Sequence, residues 1–371
     1  MKKGDFMARA LELAARARGR TSPNPMVGAV VVKDGQIVGE GFHERAGAAH
    51  AEVVALKCAG ELAKGAELYV NLEPCSHQGR TPPCVEAIIQ GGIRKVYASI
   101  TDPNPLVAGR GIARLREAGV EVSVGLGAEQ AAKLNEVFIK YMGSGYPFVI
   151  MKTAMSLDGK IATRTGDARW ISGPASRRLV HRLRNEVDAI MVGSGTVLAD
   201  NPRLTTRLVE KGRDPIRIII DSQRRIPPTA QVFGPGQVIL ATMKTDPPLP
   251  PHVEMVTFPG PKVDLVQLAK TLADREITSV LLEGGAGLNA AAIQAGIVDK
   301  AMFFLAPLII GGQQAPTPVG GLGVHWLRDA HPLHDLKACR VGEDILVEGY
   351  LSPPGKEGRG CSQDLLKKSD T

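Results

Sequence analysis

Apolar positions along the chain alternate between a helical and a strand period, and the alternation sets out two successive α/β segments. Residues 5–18 carry Phe6, Met7, Ala10, Leu11 and Ala14 at helical spacing, which predicts an amphipathic first helix. Thr21-Ser22-Pro23-Asn24-Pro25 breaks it, leaving Asn24 in a stiff loop that could equally be a plain turn. Strand-like runs over 27–33 and 36–42 flank the hairpin signal Asp34-Gly35. Helical period resumes at Ala51, followed by an expected strand over 67–72 and a helix over 83–90. Strands over 95–100 and 120–124 enclose a helix over 108–118, and another helix is expected over 128–140.

Gly143-Ser144-Gly145-Tyr146-Pro147 interrupts the pattern and places a domain boundary after residue 145. A strand over 147–152 then runs toward a turn at Asp158-Gly159. Helices over 176–184 and 265–274 alternate with strands over 189–192, 216–220, 237–241 and 279–282, the order of a mostly parallel sheet with flanking helices. Leu282-Glu283-Gly284-Gly285-Ala286-Gly287-Leu288-Asn289 ends a strand in glycines and opens a helix whose amides can bind phosphate. By itself Gly-Gly-x-Gly also fits a tight turn, and it is not the Rossmann fingerprint. Residues 313–345 are rich in Pro and Gly, and His325, His331 and His334 read there as loop histidines without ligand spacing. A strand over 345–350 is expected to close the sheet edge, and the polar tail 352–371 is expected to be disordered.

Composition narrows the function. A chain of 371 residues suits two domains. The net charge of +7 is spread thinly over both halves and only 4% of residues are aromatic, which disfavours a nucleic-acid stacking surface and suits phosphorylated small substrates. No apolar run approaches the roughly 20 residues of a membrane span, and the start lacks a signal-peptide core, so a cytoplasmic location is expected with no membrane partner. Five cysteines at irregular spacing suggest free thiols in a reducing compartment.

Chemistry concentrates at His50-Ala51-Glu52, Pro74-Cys75 and Cys84. One histidine and two cysteines are the soft donors that hold zinc, and three protein ligands leave a position for water, as in catalytic sites. Glu52 is placed to carry the proton of a water made acidic by the metal. A closed structural site would need a fourth ligand, for which His43, His77 and Cys58 are available. His50 and Glu52 fall at a helix start, and Cys84 begins or enters the next one, where the helix dipole favours a thiolate.

His-x-Glu, Pro-Cys and Cys resemble the zinc-dependent cytidine and nucleobase deaminases, in which the glutamate is general acid/base and not a ligand. Those enzymes commonly carry two residues between the cysteines. Here eight intervene, 76–83. That spacing, with Asn24-Pro25-x-Val27-Gly28, Gly41-Phe42-His43, Glu73-Pro74-Cys75-Ser76-His77, Thr81-Pro82-Pro83-Cys84 and Thr101-Asp102-Pro103-Asn104-Pro105, resembles the bifunctional deaminase/reductases of riboflavin biosynthesis. Met151-Lys152-Thr153-Ala154-Met155-Ser156-Leu157-Asp158-Gly159-Lys160, Val192-Gly193-Ser194-Gly195-Thr196 and Glu283-Gly284-Gly285 resemble the reductase half of the same family.

The resemblance implies a cytidine-deaminase-like α/β/α deaminase domain over 1–145 and a dihydrofolate-reductase-like α/β domain over 146–351, with self-association. It implies zinc on His50, Cys75 and Cys84 with Glu52 catalytic, and substrate contacts from Asn24, His43, His77 and Arg80. In the second half it implies NADPH binding by Ala154, Trp170, Thr196, Asp200, Ser222, Gly285, Ala286, Gly287, Leu288, Asn289, Ala290 and Ala291. Substrate is expected against Ala168, Arg184, Leu204, Arg207 and Glu283, with Ala168 standing where the family pattern has Ser. Lys152 and Asp158 are candidates for proton transfer or polar positioning. The rival readings are a tRNA or other nucleobase deaminase with a non-catalytic second domain, and a nucleotide-binding module.

Overall fold

The computed structural model describes residues 2–76, 82–104, 107–246 and 248–351, and the chain divides into two units, Met1–Gly145 and Tyr146–Thr371. The first contains β1 (Gly28–Lys33), β2 (Gln36–Phe42), β3 (Glu67–Val70), β4 (Lys95–Ala98) and β5 (Glu121–Val124), ordered β2-β1-β3-β4-β5. β1 runs antiparallel to β2 and β3, whereas β3, β4 and β5 are mutually parallel. Both faces of β1 are covered, which explains its β-branched run. Val30 and Val32 meet Phe6, Met7, Ala10 and Leu13 of α1 (Lys3–Ala15) on one side. Ala29 and Val31, one residue out of phase, meet Ala51, Ala55 and Ala59 of α2 (Ala51–Ala59) on the other. α3 (Cys84–Gln90) and α4 (Arg110–Glu117) pack in that second layer through Val85, Ile88 and Leu115.

α2 lies directly on β2 because two strand positions carry no side chain. A Cβ added at Gly41 would stand 2.5 Å from the Ala51 carbonyl oxygen and 2.6 Å from the Ala55 nitrogen, and one at Gly39 would stand 2.3 Å from the Ala55 carbonyl oxygen. The helix that carries Glu52 and follows His50 is thereby seated on the hairpin. The single helix expected over 128–140 is two, α5 (Ala128–Leu134) and α6 (Glu136–Ser144), because Asn135 leaves helical geometry at φ −104°, ψ 23°.

The second unit holds a nine-stranded sheet built from β6 (Phe148–Ser156), β7 (Ala189–Gly193), β8 (Ile216–Ile220), β9 (Val238–Thr242), β10 (Val253–Thr257), β11 (Ser279–Leu282), β12 (Lys300–Ala306), β13 (His334–Val341) and β14 (Asp344–Tyr350). Its order is β10-β9-β8-β7-β11-β6-β12-β14-β13, parallel as far as β12 and antiparallel at the last two pairings. The helices are α7 (Pro174–Glu186), α8 (Ser194–Asp200), α9 (Leu265–Ala273) and α10 (Ala286–Gln294). One core joins β6, β7 and β11 to α9 and α10 through Met151, Met191, Leu268, Leu272, Leu282 and Ala292.

The structure departs from the sequence pattern at several points. β14 does not close the sheet edge, since β13 pairs outside it; His334 therefore opens a strand and is not a loop residue. β6 continues to Ser156 past the expected end at 152. β10, β12 and α8 arise where no element was expected. The 352–371 tail lies outside the described residues. Among those described, no helix is long and apolar enough to cross a membrane.

The close seating of α2 yields a prediction. Gly41→Ala should lower the stability of the first unit by about 1–3 kcal/mol, as overpacking does, read as earlier thermal unfolding of that unit with the unfolding of the second unit unchanged. Unchanged unfolding of the first unit would contradict the contact.

Candidate active site

Three chain segments bring the soft donors together. His50 caps α2 with extended backbone at φ −72°, ψ 156°, Cys75 stands in the loop after β3, and Cys84 is the first residue of α3. Their ligand atoms all lie within 4.8 Å of one another. His50 Nδ1 is 3.1 Å from Cys84 Sγ and 3.5 Å from Cys75 Sγ, and the Cys84 N–H donates to Cys75 Sγ over 3.3 Å. The Cys75 thiol is lowered to about 4, first by the hydrogen bond from Cys84 and then by His50, against the opposing effect of burial. Cys84, the donor in that pair and itself buried, is pushed up. A thiolate, an imidazole and a second thiol facing one small volume are a donor set that fits zinc.

Among the described residues no fourth donor joins the cluster. Cys58 is exposed, and both ring nitrogens of His43 have other partners. His43 Nδ1 donates to the Ala49 carbonyl oxygen at 3.2 Å; Nε2 is therefore the acceptor and takes the Asn24 side-chain amide at 3.2 Å. Burial holds His43 below its usual pKa, in keeping with a neutral ring. Its ring meets that of His50 edge-on, centroids 5.4 Å apart. The structure thus brings Asn24 and His43 together beside the metal donors, with His43 only 3% exposed and orienting Asn24. His77 and Arg80 lie outside the described residues.

Glu52, in the first turn of α2, is 3% exposed. Its pKa is raised to about 7, chiefly by burial and then by the charge of Cys75. A carboxyl group balanced there can both take and return a proton near neutral pH.

Two buried amides that the sequence reading passed over support the Asn24 loop. Asn71 donates to the Met26 carbonyl at 2.9 Å and accepts the Gly28 N–H at 2.8 Å. Asn135, at the α5–α6 junction, accepts the Met26 N–H at 2.8 Å and donates to its carbonyl at 3.0 Å. Their only sequence signal is a polar residue at the end of an apolar run and one inside a helical pattern.

In the second unit the candidate residues gather beyond the carboxyl ends of parallel strands, where open α/β sheets bind ligands. Ala154 lies near the end of β6, Thr196 and Asp200 on α8 after β7, Ser222 just after β8, and Glu283 to Gly285 after β11. A Cβ at Gly285 would meet Thr196 Oγ1 at 3.4 Å and one at Gly193 would meet Leu288 at 3.5 Å, so the starts of α8 and α10 adjoin. No side chain caps α10 at Gly285, and Ala286, Gly287 and Ala290 line its first turns. Those uncapped amides fit a dinucleotide phosphate. Asn289 is fully buried and donates to the Pro318 carbonyl at 2.8 Å, and Ala291 packs against the core. Ser222 Oγ accepts the Val263 N–H at 3.3 Å. Trp170 is 67% exposed, so it is no core residue, and the Arg177 guanidinium lies 4.9 Å from its ring centre.

Arg184, Glu283 and Lys152 form a buried charge cluster. Arg184 clasps Glu283 with Nε–Oε1 at 2.8 Å and Nη2–Oε2 at 3.1 Å, and its Nη1 reaches the Thr205 carbonyl at 3.2 Å. Lys152 Nζ lies 3.5 Å from Glu283. Burial opposes ionisation of Glu283, but Arg184 and Lys152 outweigh it and hold the carboxyl down at about 2. Arg207 is more exposed, its side chain donating to Thr205 Oγ1 at 3.0 Å and its N–H to His181 Nδ1 at 3.0 Å. Burial and Arg184 push His181, another residue the sequence reading missed, down to about 4. Leu204 is buried in a core with Val192, Val197 and Ile226, so its backbone is what it can offer a ligand; Ala168 is half-buried. Asp158 accepts Ser156 Oγ at 2.6 Å and the Ile310 and Gly311 amides at 3.1 and 2.7 Å, and those bonds lower it to about 2. It is a loop tie, unable to donate a proton near neutral pH.

Comparison with known proteins assigns both units. Residues 1–100 match the family model described as cytidine and deoxycytidylate deaminase zinc-binding region, and residues 147–347 match that of the RibD C-terminal domain. Riboflavin biosynthesis protein RibD of Escherichia coli is 48% identical over 92% of this chain and 97% of its own, and that of Bacillus amyloliquefaciens is 44% identical over 95% and 97%. Among solved structures, Acinetobacter baumannii RibD is 38% identical with a TM-score of 0.84 over 94% of this chain and 98% of its own. The Thermotoga maritima diaminohydroxyphosphoribosylaminopyrimidine deaminase/5-amino-6-(5-phosphoribosylamino)uracil reductase is 39% identical with the same TM-score and coverage. At these identities over nearly the whole chain, it belongs to the RibD family of bifunctional deaminase/reductases of riboflavin biosynthesis.

Proposed function

We propose that the first unit hydrolyses the 2-amino group of 2,5-diamino-6-(ribosylamino)-4(3H)-pyrimidinone 5'-phosphate, and that the second reduces the ribosyl chain of the deaminated product to ribityl with NADPH. The observation that carries the reading is the convergence of His50, Cys75 and Cys84 beside a buried Glu52 with a pKa of about 7. Zinc held by those three residues supplies a Lewis acid that brings the pKa of a water toward about 7. The Glu52 carboxylate would take one proton of the attacking water as the water oxygen bonds to the amine-bearing ring carbon. The same carboxyl would pass that proton to a ring nitrogen, then take the remaining hydroxyl proton and deliver it to the amino group, which departs as ammonia as the C–N bond breaks and the ring carbonyl forms. Asn24, its amide oriented by His43, would hold the pyrimidine or its sugar, a reading supported by its contact with His43 beside the cluster. His77 and Arg80 are assigned to the substrate phosphate by resemblance.

In the second unit NADPH, when bound, supplies the hydride for ribosyl C1'. The uncapped α10 start and the Thr196, Asp200 and Ser222 positions would hold the dinucleotide, and the exposed Trp170 ring is open to contact by it. Arg207 is the cation with donors available for a substrate phosphate, because Arg184 is clasped to Glu283. Lys152 is the better placed of the two proton-transfer candidates, given the role of Asp158 as a loop tie. The reading as a tRNA deaminase with a non-catalytic appendage is not favoured, since the second unit matches the RibD C-terminal domain.

Glu52→Ala should lower ammonia release by about 10²–10⁴-fold, the usual contribution of a general acid/base. Zinc content by metal analysis should stay at the wild-type level, and turnover of supplied deaminated intermediate should be unchanged. Ammonia release at the wild-type rate would remove Glu52 from the chemistry.

Glu283 makes the second unit acid-sensitive. Its pKa is lowered from 4.5 to about 2 on folding, so its contribution is complete above about pH 4.5 and is lost as pH falls toward 2. Glu283→Gln should cost about 3–5 kcal/mol at neutral pH by stranding Arg184 and Lys152, and should flatten that acid limb. Hydrogen exchange in β6 and β11 reads both effects. An unaltered acid limb would contradict the assignment.

A further inference from the structure

The deaminase chemistry above makes no use of Glu73, a carboxylate only 4% exposed that stands between β3 and Pro74-Cys75. Its two oxygens accept four backbone N–H groups. Oε1 takes Gly111 at 2.9 Å and Ile112 at 3.1 Å, and Oε2 takes Asp102 at 3.0 Å and Gly109 at 2.9 Å. Gly109, Gly111 and Ile112 form the start of α4, where aligned peptide dipoles favour negative charge. Bonds to an ionised acceptor are also the stronger kind.

A second contact fixes the same stretch from its backbone. Gly111 packs so closely on Pro74 that an added Cβ would stand 2.1 Å from the Pro74 carbonyl oxygen. The Glu73 N–H donates to the Ile100 carbonyl at 2.9 Å, and one residue past Pro74 the Cys75 carbonyl accepts the Val85 N–H at 3.2 Å. The chain leading into Cys75 is therefore gripped by side chain and main chain at α4, immediately before its sulfur meets His50 and Cys84.

We propose that Glu73 is a positioning residue for the metal centre: by anchoring Pro74-Cys75 on the start of α4 it sets where Cys75 Sγ stands relative to His50 and Cys84. The inference rests on the zinc reading given above. An amide in place of the carboxylate presents N–H groups to backbone donors and loses part of the grip, while a methyl at Gly111 displaces the Pro74 carbonyl and leaves the charge of Glu73 intact. The two substitutions disturb one anchor by different physical routes.

The test uses the full-length chain with Glu73→Gln and Gly111→Ala. Zinc affinity is measured by competition with a chromophoric chelator, and the thiolate-to-metal absorption of the cobalt(II)-substituted protein reports ligand placement. Circular dichroism and turnover of the deaminated intermediate verify folding. Both variants should lose about 10–100-fold in zinc affinity, the usual effect of residues that orient metal ligands, with an altered cobalt spectrum. A folded variant with wild-type affinity and spectrum would overturn the proposal. Loss of the folded first unit in both variants would also overturn it, assigning the anchor to the fold alone. A wild-type chain that takes up no zinc would instead remove the metal reading on which the proposal stands.

Discussion

A buried Glu52 interacts with two thiols and an imidazole, and the first unit is arranged to keep them together. Burial and the neighbouring thiolate charge lift the carboxyl to about 7, which would be a cost without purpose in a structural site. The surroundings supply the compensation. α2 is seated on Gly39 and Gly41, so that His50 and Glu52 arrive at the cluster on a rigid helix start. Asn71 and Asn135 secure Met26 from two directions, which holds the Asn24 loop against the same volume. Positions of this kind must be held closely because proton transfer depends on hydrogen-bond reach.

The second unit meets a different constraint. Its parallel strands deliver their carboxyl ends to one rim, and the chain there is rich in glycine and in cations. Positive charge alone would repel itself in a partly buried rim. Glu283 resolves this by clasping Arg184 and facing Lys152, while His181 stays neutral and receives the Arg207 backbone. Arg207 keeps its exposure and its charge. That the buried cation is the paired one and the exposed cation is not follows from the cost of burying unpaired charge.

The cluster of His50, Cys75 and Cys84 and its neighbour Glu52 were legible in the sequence because coordination and proton transfer demand particular residue types in a particular pattern. The α/β character of both halves was legible from periodicity. Other features were not. Within β12 residues 301–306 are a continuous apolar run, for which helix and strand are indistinguishable by period, and His334–Val341 is an exposed edge strand with little apolar contrast. The clasp of Arg184 on Glu283 joins residues 99 apart, so no local pattern could show that the two expected substrate residues pair with each other. Asn71, Asn135, Glu73 and His181 carry no local signal of their roles, because the backbone groups they satisfy are known only once the chain is folded.

Membership of the deaminase/reductase family means that one chain holds two separate chemistries. The direct measurement supplies the purified full-length chain with the diamino pyrimidinone ribosyl phosphate and NADPH, and follows ammonia release and NADPH oxidation together, with and without a zinc chelator. Ammonia should appear first and oxidation follow; chelation should stop both, and added deaminated intermediate should restore oxidation alone. Ammonia release that persists without zinc, or oxidation that never follows deamination, would contradict the claim.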